Sequence, residues 1–395
     1  MTASPARARY RAVTRETEPR ADARDALGAL GRDGFAWLHH GTRLVASGVA
    51  ARVSPPDVPA TLLAVEADDP VGLPGSGPVA VGALPFDPEA PGELVIPARV
   101  LGQVDGRAWI TELEPVTDGA LGTRPPPARF SVVGTQSRAE WRAMVEAALA
   151  AIGRGELEKV VLAREVLVDA DEPFDVRAVA ARLVSQQPGC FVYVADGLVG
   201  ASPELLVRQR GSDVESLPVA GTAIADGDDA SLRALAASVK DQREHRFVVD
   251  AIVDSLREHC IELDSSALPE VAVFGHVAHL ATRVRGRLRR PTASALELAQ
   301  LLSPTPAVGG TPRRAALDAI RALEGFDRGR YAGPVGWVDA HGNGEWAIAL
   351  RGAELHGNRA RLVAGAGIVD GSDPESEWAE TQAKLEPMLR ALVRP

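Results

Sequence analysis

The chain predicts an α+β fold with large antiparallel sheets and helices outside them. Three observations carry this. Short apolar runs bounded by Gly, Pro and Asp come in consecutive groups, as in meanders, and do not alternate strictly with helices. Helical stripes are few and mostly begin at recognisable caps. The composition is 46% hydrophobic and 24% charged over 395 residues, ordinary for a globular chain able to bury a large core.

The elements follow in order. The first residues are polar and arginine-rich (Arg7, Arg9, Arg11, Arg15, Arg20, Arg24), and residues 1 to about 25 read as a loose tail. From 30 to 115 the runs FAWLHHG, RLVASGVAARV, TLLAVEA, PVAVGALPF and GELVIPARVL read as strands. RPPPARF, residues 124–130, is a stiff proline connector inside the domain. Ser137 and Glu140 have capping-box spacing, and Trp141, Met144, Val145, Ala148 and Ile152 form a helical stripe behind them. Residues 159–168 read as a strand, and Asp175 caps a helix to about Gln187. CFVYVAD, GLVGASPE, LLVRQR and LPVAGT are further strands. One long helix is expected from Asp229 to about Cys260, then the strand-like VAVFGHVAHLATRVRGRL. Thr311 caps a helix with Pro312 at its first position. HGNG closes a hairpin, and RARLVAGAGIV is the last strand. The final helix starts at Ser372, which with Glu375 has capping-box spacing.

Composition excludes several functions. A net charge of −10 is a poor footprint for nucleic acid or an anionic membrane. No signal peptide or transmembrane run is visible. Cys190 and Cys260 can build neither a disulfide framework nor a zinc site, which fits a reducing cytoplasm.

Several residues could carry chemistry. Glu377, Glu380 and Lys384 lie at i, i+3 and i+7 on one face of the last helix, beside a glycine-rich turn. That face suits a metal ion and an anion, and it equally suits a salt-bridged solvent surface. Lys159 alternates onto the face of Val161 and Ala163; an inward lysine must find a partner or lose its proton, and a neutral lysine is a base. A strand-end lysine can also snorkel to water. Glu204, stiffened by Pro203, could donate a proton if buried or simply sit in a surface turn. Glu244 lies in the charged KDQREHRFVVD and offers an oxygen ligand of the kind Mg²⁺ takes. His279 sits in an apolar stretch, where a satisfied core histidine is the plain alternative. Gly221–Thr222, Gly309–Gly310 and Gly365–Gly367 allow backbone amides to approach an anion. Arg351 could clamp a carboxylate.

The blocks EKVVLAREV, GASPELLV, LPVAGT, KDQREHRFVVD, HLAT, SPTPAVGGTP, RGRYAGPVGW, GEWAIALR and AGAGIV followed by SDPESEWAETQAK stand in the order of a known family. Over residues 138–392 the chain resembles the chorismate-utilising enzymes, and among them most resembles isochorismate synthases. The N-terminal third matches only loosely. The resemblance implies a single chorismate-binding domain over residues 26–395, with two mainly antiparallel sheets packed together and the site between sheets and helices. It implies Mg²⁺ and reversible conversion of chorismate to isochorismate, water adding at ring carbon 2 as the hydroxyl leaves ring carbon 4.

By matched position, Lys159 is the implied base and Glu204 the implied acid. Glu244 and Glu380 are implied direct Mg²⁺ ligands, and Glu377 a ligand through water. Tyr331, Arg351, Gly365 and Lys384 are implied to hold the substrate carboxylates. Gly221 and Thr222 match the loop beside the reacting hydroxyl, and His279, Ala307 and Val308 the pocket wall.

The sibling activities are salicylate synthase, which goes on to eliminate pyruvate, and the ammonia-using anthranilate and aminodeoxychorismate synthases. Lys159 argues against anthranilate synthase, whose relatives lack it. No glutaminase module or nucleophilic cysteine motif is present, so no glutaminase subunit is expected; with no obvious partner helix, the expected state is a monomer. Isochorismate feeds menaquinone, catechol siderophore and salicylate-type pathways. Ser303 before Pro304, and Tyr331 where relatives carry phenylalanine, are small departures that remove no catalytic group.

Overall fold

The computed structural model describes residues 10–31, 33–114, 125–225, 229–275, 277–290 and 292–393. A fork organises its strands. Leu94–Val104 pairs with Thr42–Val53 over most of its length and meets Val79–Ala83 at Val95. From this fork one arm runs through Thr42–Val53, Phe35–His39, Phe191–Ala195, Leu198–Ser202, Gly352–His356 and Arg359–Ile368 to Lys159–Ala170. The other runs through Val79–Ala83, Pro334–Asp339, Gly344–Ile348, Leu205–Arg210, Asp213–Leu217 and Val284–Leu288 to Cys260–Ser265. All these pairings are antiparallel.

Trp37, Leu44 and Tyr193 from the first arm share one buried cluster with Leu205, Val335, Trp337 and Ala347 from the second. The arms therefore pack inner face to inner face, as in a sandwich, and alternation along each strand sends the next side chains outward. Helices cover those outer faces. Val176–Gln186 and Pro374–Val393 bury Leu183, Leu385 and Met388 against the first arm. Arg138–Gly153, Val239–Arg257, Ala295–Leu302 and Arg313–Leu323 share a cluster with Leu206, Trp346 and Ile348. A separate three-stranded sheet, Val219–Ile224, Val277–Ala281 and Glu270–Phe274, stands beside Val239–Arg257.

Many expected elements form. The Ser137–Glu140 capping box closes in both directions, and Trp141 behind it is buried and donates to the Pro374 carbonyl at 3.0 Å. Asp175 caps its helix, and the hairpin around 340–343 closes. Both cysteines are buried and free.

Four expectations are corrected. The arginine-rich start is no loose tail through residue 25: Arg11–Thr17 pairs with Arg107–Glu114 and, in parallel, with Glu66–Asp68, because Ala12 and Thr14 alternate into the core while the arginines point out. Residues 1–9 lie outside the described residues. The long helix from Asp229 divides into Asp229–Ala237 and Val239–Arg257, since the Ser238 hydroxyl accepts from the Asp241 amide and starts a new helix. Thr311 lies in a two-residue strand against Lys159, and Pro312 is the cap of Arg313–Leu323. The last helix begins at Pro374: Asp373 accepts from the Ser376 amide, Ser372 instead accepts from Val369, and Glu375 turns outward to Arg138 and Arg142 at 2.6 and 2.8 Å.

Candidate active site

A cleft opens where the Lys159 strand, the Arg359–Ile368 strand, the small sheet and the helices Val239–Arg257 and Pro374–Val393 meet. Its wall contains Glu204, Gly221, Thr222, Glu244, His279, Ala307, Val308, Tyr331, Arg351, Gly365, Glu380 and Lys384, around about 540 Å³ of empty space that includes the open mouth. These residues span positions 204–384, nearly half the sequence. Lys159 and Glu377 do not face the cleft; they lie just behind it, at 0% and 3% exposure. Val161, Pro203, Val219, Ala220, Leu350 and Gly367 complete the lining.

Lys159 is buried at the start of its strand. Its Nζ stands 2.8 Å from Glu244 Oε1, yet no acceptor meets it at a hydrogen-bond angle. The contact is therefore chiefly one of charge, and the ammonium is only loosely directed. Gly367 is what allows the approach. A Cβ there would stand 2.5 Å from Glu244 Oε1 and 3.1 Å from Lys159 Cε, so a side chain would push the pair apart. Burial raises the Glu244 carboxyl, but the ammonium groups of Lys159, Lys384 and Lys240 outweigh it and the net direction is down.

Glu204 follows Pro203 at the end of a buried strand and is 2% exposed. Burial pushes its carboxyl up to about 8, against a hydrogen bond from Val219 and the charges of Lys159, Arg351 and Lys384. At neutral pH it therefore holds a proton it can give away.

His279 joins two parts of the wall. Burial, with Arg351 adding to it, lowers the ring to about 3, so it is neutral. One nitrogen, Nδ1, lies 2.7 Å from the Gly221 carbonyl and must donate to it. Nε2 is then the acceptor for Arg351 Nη2 at 3.2 Å. Gly221 adopts φ +68°, a left-handed conformation natural to glycine, which sets its carbonyl toward the ring. Arg351 itself takes φ +52°, costly for a residue with a side chain by roughly 1–2 kcal/mol. Such backbone strain concentrates at functional sites.

The acids near the last helix are each held by a lysine. Lys384 Nζ contacts Glu380 Oε1 at 2.5 Å and donates to the Gly365 carbonyl at 3.0 Å. Lys240 Nζ contacts Glu377 Oε1 at 3.1 Å. Burial and then the neighbouring Glu380 push the Glu377 carboxyl up, and Lys240 only partly opposes them. Asp241 is also raised, by burial and by Glu244 and Glu380. The region is thus rich in carboxylates that repel one another. Oxygen-only carboxylate donors are what Mg²⁺ takes, so the donor chemistry fits. Among the described residues, however, no three acidic, histidine or cysteine side chains converge as a ready metal site.

Two features were missed in the sequence. Lys240 precedes Glu244 by four residues on one helix, a spacing that signals a shared face, but the charged patch looked solvated. Arg328 and Glu324 form a buried pair beneath the cleft, with Arg328 donating to the Val308 and Val161 carbonyls at 2.7 and 2.8 Å and Glu324 accepting from the Ala163 amide at 2.7 Å. The spacing of four in EGFDR hints at their pairing and nothing hints at their burial.

Residues 123–393 match the family described as chorismate binding enzyme. Isochorismate synthase EntC of Escherichia coli (strain K12) is 40% identical over 326 residues, covering 79% of this chain and 80% of that one. Isochorismate synthase DhbC of Bacillus subtilis is 37% identical over 332 residues, covering 80% and 81%. The solved structure of MenF, the menaquinone-specific isochorismate synthase from Escherichia coli, superposes with a TM-score of 0.83 at 28% identity, covering 98% of this chain and 95% of that one. No described helix is long and apolar enough to cross a membrane.

Proposed function

Because the chain belongs to the chorismate-binding enzyme family, we propose that it is an isochorismate synthase. The observation that carries this reading is a buried, protonated Glu204 in a cleft lined by Arg351 and Lys384, with a second buried ionisable group, Lys159, directly behind its wall. Chorismate is a dianion, which asks for cations; its ring hydroxyl is a poor leaving group, which asks for an acid; water is a weak nucleophile, which asks for a base.

In this reading Arg351 and Lys384 hold the two carboxylates, with Tyr331 and the Gly365 backbone beside them. Lys159 is the base in this reading, taking a proton from water as its oxygen bonds to ring carbon 2. The ring double bond shifts, the bond from carbon 4 to its hydroxyl breaks, and Glu204 protonates the leaving oxygen so that water departs. Lys159 then carries one proton more and Glu204 one fewer, and exchange with solvent resets both. The reverse reaction uses the same groups in opposite roles. His279 keeps Arg351 aimed and the Gly221–Thr222 turn in place, while Ala307 and Val308 wall the ring. Glu244 and Glu380 would hold Mg²⁺ directly and Glu377 through water, and the bound ion would supply positive charge to neutralise and orient a substrate carboxylate. No glutaminase partner is needed, since water and not ammonia is the nucleophile.

Incubation with chorismate and Mg²⁺, with products resolved by chromatography, tests the proposal. Isochorismate as the product supports it. Salicylate with pyruvate, an aminated product when ammonium is supplied, or no turnover overturns it.

A further inference from the structure

We infer that Lys240 is a tethered counter-cation that occupies Glu377 in the metal-free protein and competes with Mg²⁺ for the acidic cluster. The inference rests on the assignment of Glu377, Glu380 and Glu244 to the metal. Lys159 and Lys384 have other proposed work, as base and as carboxylate holder. Lys240 has none, yet its ammonium sits 3.1 Å from Glu377 Oε1. The two ends of this pair differ. The Glu377 side chain is 4% exposed, whereas that of Lys240 is 45% exposed. An almost wholly buried carboxylate next to Glu380 is expensive to leave alone, while the lysine can swing to water at little cost. The lysine therefore behaves as a removable plug of charge. It keeps the cluster from repelling itself apart before the metal arrives, and it must yield when the metal does. Both Lys240 and Glu244 project from one helix at a spacing of four, so the plug is built into the element that carries a proposed ligand.

The test uses the full chain stripped with EDTA, its thermal midpoint followed as MgCl₂ is added, for wild type, Lys240→Met and Lys240→Arg. With its lysine half exposed, Lys240→Met should lower the half-saturating Mg²⁺ concentration about two- to fivefold. It should also lower the midpoint of the stripped protein, because Glu377 loses its partner. Lys240→Arg keeps the charge and the pair and should restore both values. An unchanged or higher half-saturating concentration in Lys240→Met overturns the inference. So does a lower one with no loss of stripped stability, which would mark a distant charge and no pair. If wild type itself shows no Mg²⁺-dependent rise, the metal assignment fails and the inference with it. A rise in wild type that Lys240→Met leaves unaltered sinks the inference alone.

Discussion

Two ion pairs lie against the Lys159 strand, one wholly buried and one with its carboxylate partly exposed, and they are built differently. In the Arg328–Glu324 pair every reach ends in a partner. The guanidinium bonds both Glu324 oxygens and the carbonyls of Val308 and Val161, stacks over Phe86, and Glu324 also takes the Ala163 amide. In the Lys159–Glu244 pair the ammonium has one contact and no well-angled hydrogen bond. A saturated pair is fixed in place and fixes its surroundings; an unsaturated pair is free to change partners. The first therefore holds the strand and the pocket wall still, and the second is the one free to change partners, as the proposed proton transfer and metal binding require.

Four predictions break or sharpen that contrast. The largest effect falls on activity. Lys159→Ala should lower turnover by about 10²- to 10⁴-fold while the circular dichroism spectrum stays that of the folded chain, with a lower thermal midpoint because Glu244 loses its partner. Near-normal turnover would remove Lys159 from the chemistry. The largest effect on stability falls on the other pair. Arg328→Met strands Glu324 in the core and should cost about 3–5 kcal/mol in a denaturant titration; a loss below that of an ordinary surface change would mean the pair is not what holds the wall.

Glu204 gives the third. Its folded carboxyl titrates near 8, against 4.5 unperturbed. Between those values the folded chain keeps a proton the unfolded chain has released, so stability falls as pH rises through this window and levels off above about 8. Glu204→Gln should erase that slope, gaining on wild type from pH 5 to 8 by an amount on the order of a few kcal/mol. Turnover by wild type should decline above pH 8, where the acid has lost its proton. A flat wild-type stability profile would contradict the assignment. The smallest effect is expected at His279. His279→Ala frees Arg351 from a single hydrogen bond, and loss of one such bond to a charged group is worth about 1.5–3 kcal/mol. It should appear mainly as a raised KM for chorismate, and a change confined to kcat would instead give His279 a part in the chemistry.

Much of this was legible in the sequence, for reasons that differ by residue. Ser137 and Glu140, Asp175, and the turn between Asp339 and Gly344 act within a few residues of themselves, so local spacing is enough. The Arg11–Thr17 strand was not legible as one, because its partners at 107–114 and 66–68 lie far along the chain and its arginines mask a two-residue alternation. The Asp229 helix looked continuous because its stripe is continuous; only the Ser238 cap divides it. Within the site, Glu377, Glu380 and Lys384 were visible as one helical face, but a face has no address until something packs against it.

The sequence by itself determined the fold class, the family, and the kinds of residue available for a dianion, a metal and two proton transfers. These depend on composition, local periodicity and ordered motifs, all one-dimensional properties. Only the tertiary structure decided that Glu204 keeps its proton, that Lys159 meets Glu244 across a glycine, that Arg351 rests on His279, and that Lys240 reaches Glu377 from another helix. The physical reason is shared by all four. Proton affinity and pairing are set by burial and by charges brought close in space, and those neighbours stand between 72 and 208 residues apart in the chain wherever a contact joins two of these groups through packing: 351 with 279, and 367 with 159, against 85 and 137 for the two lysine–glutamate pairs.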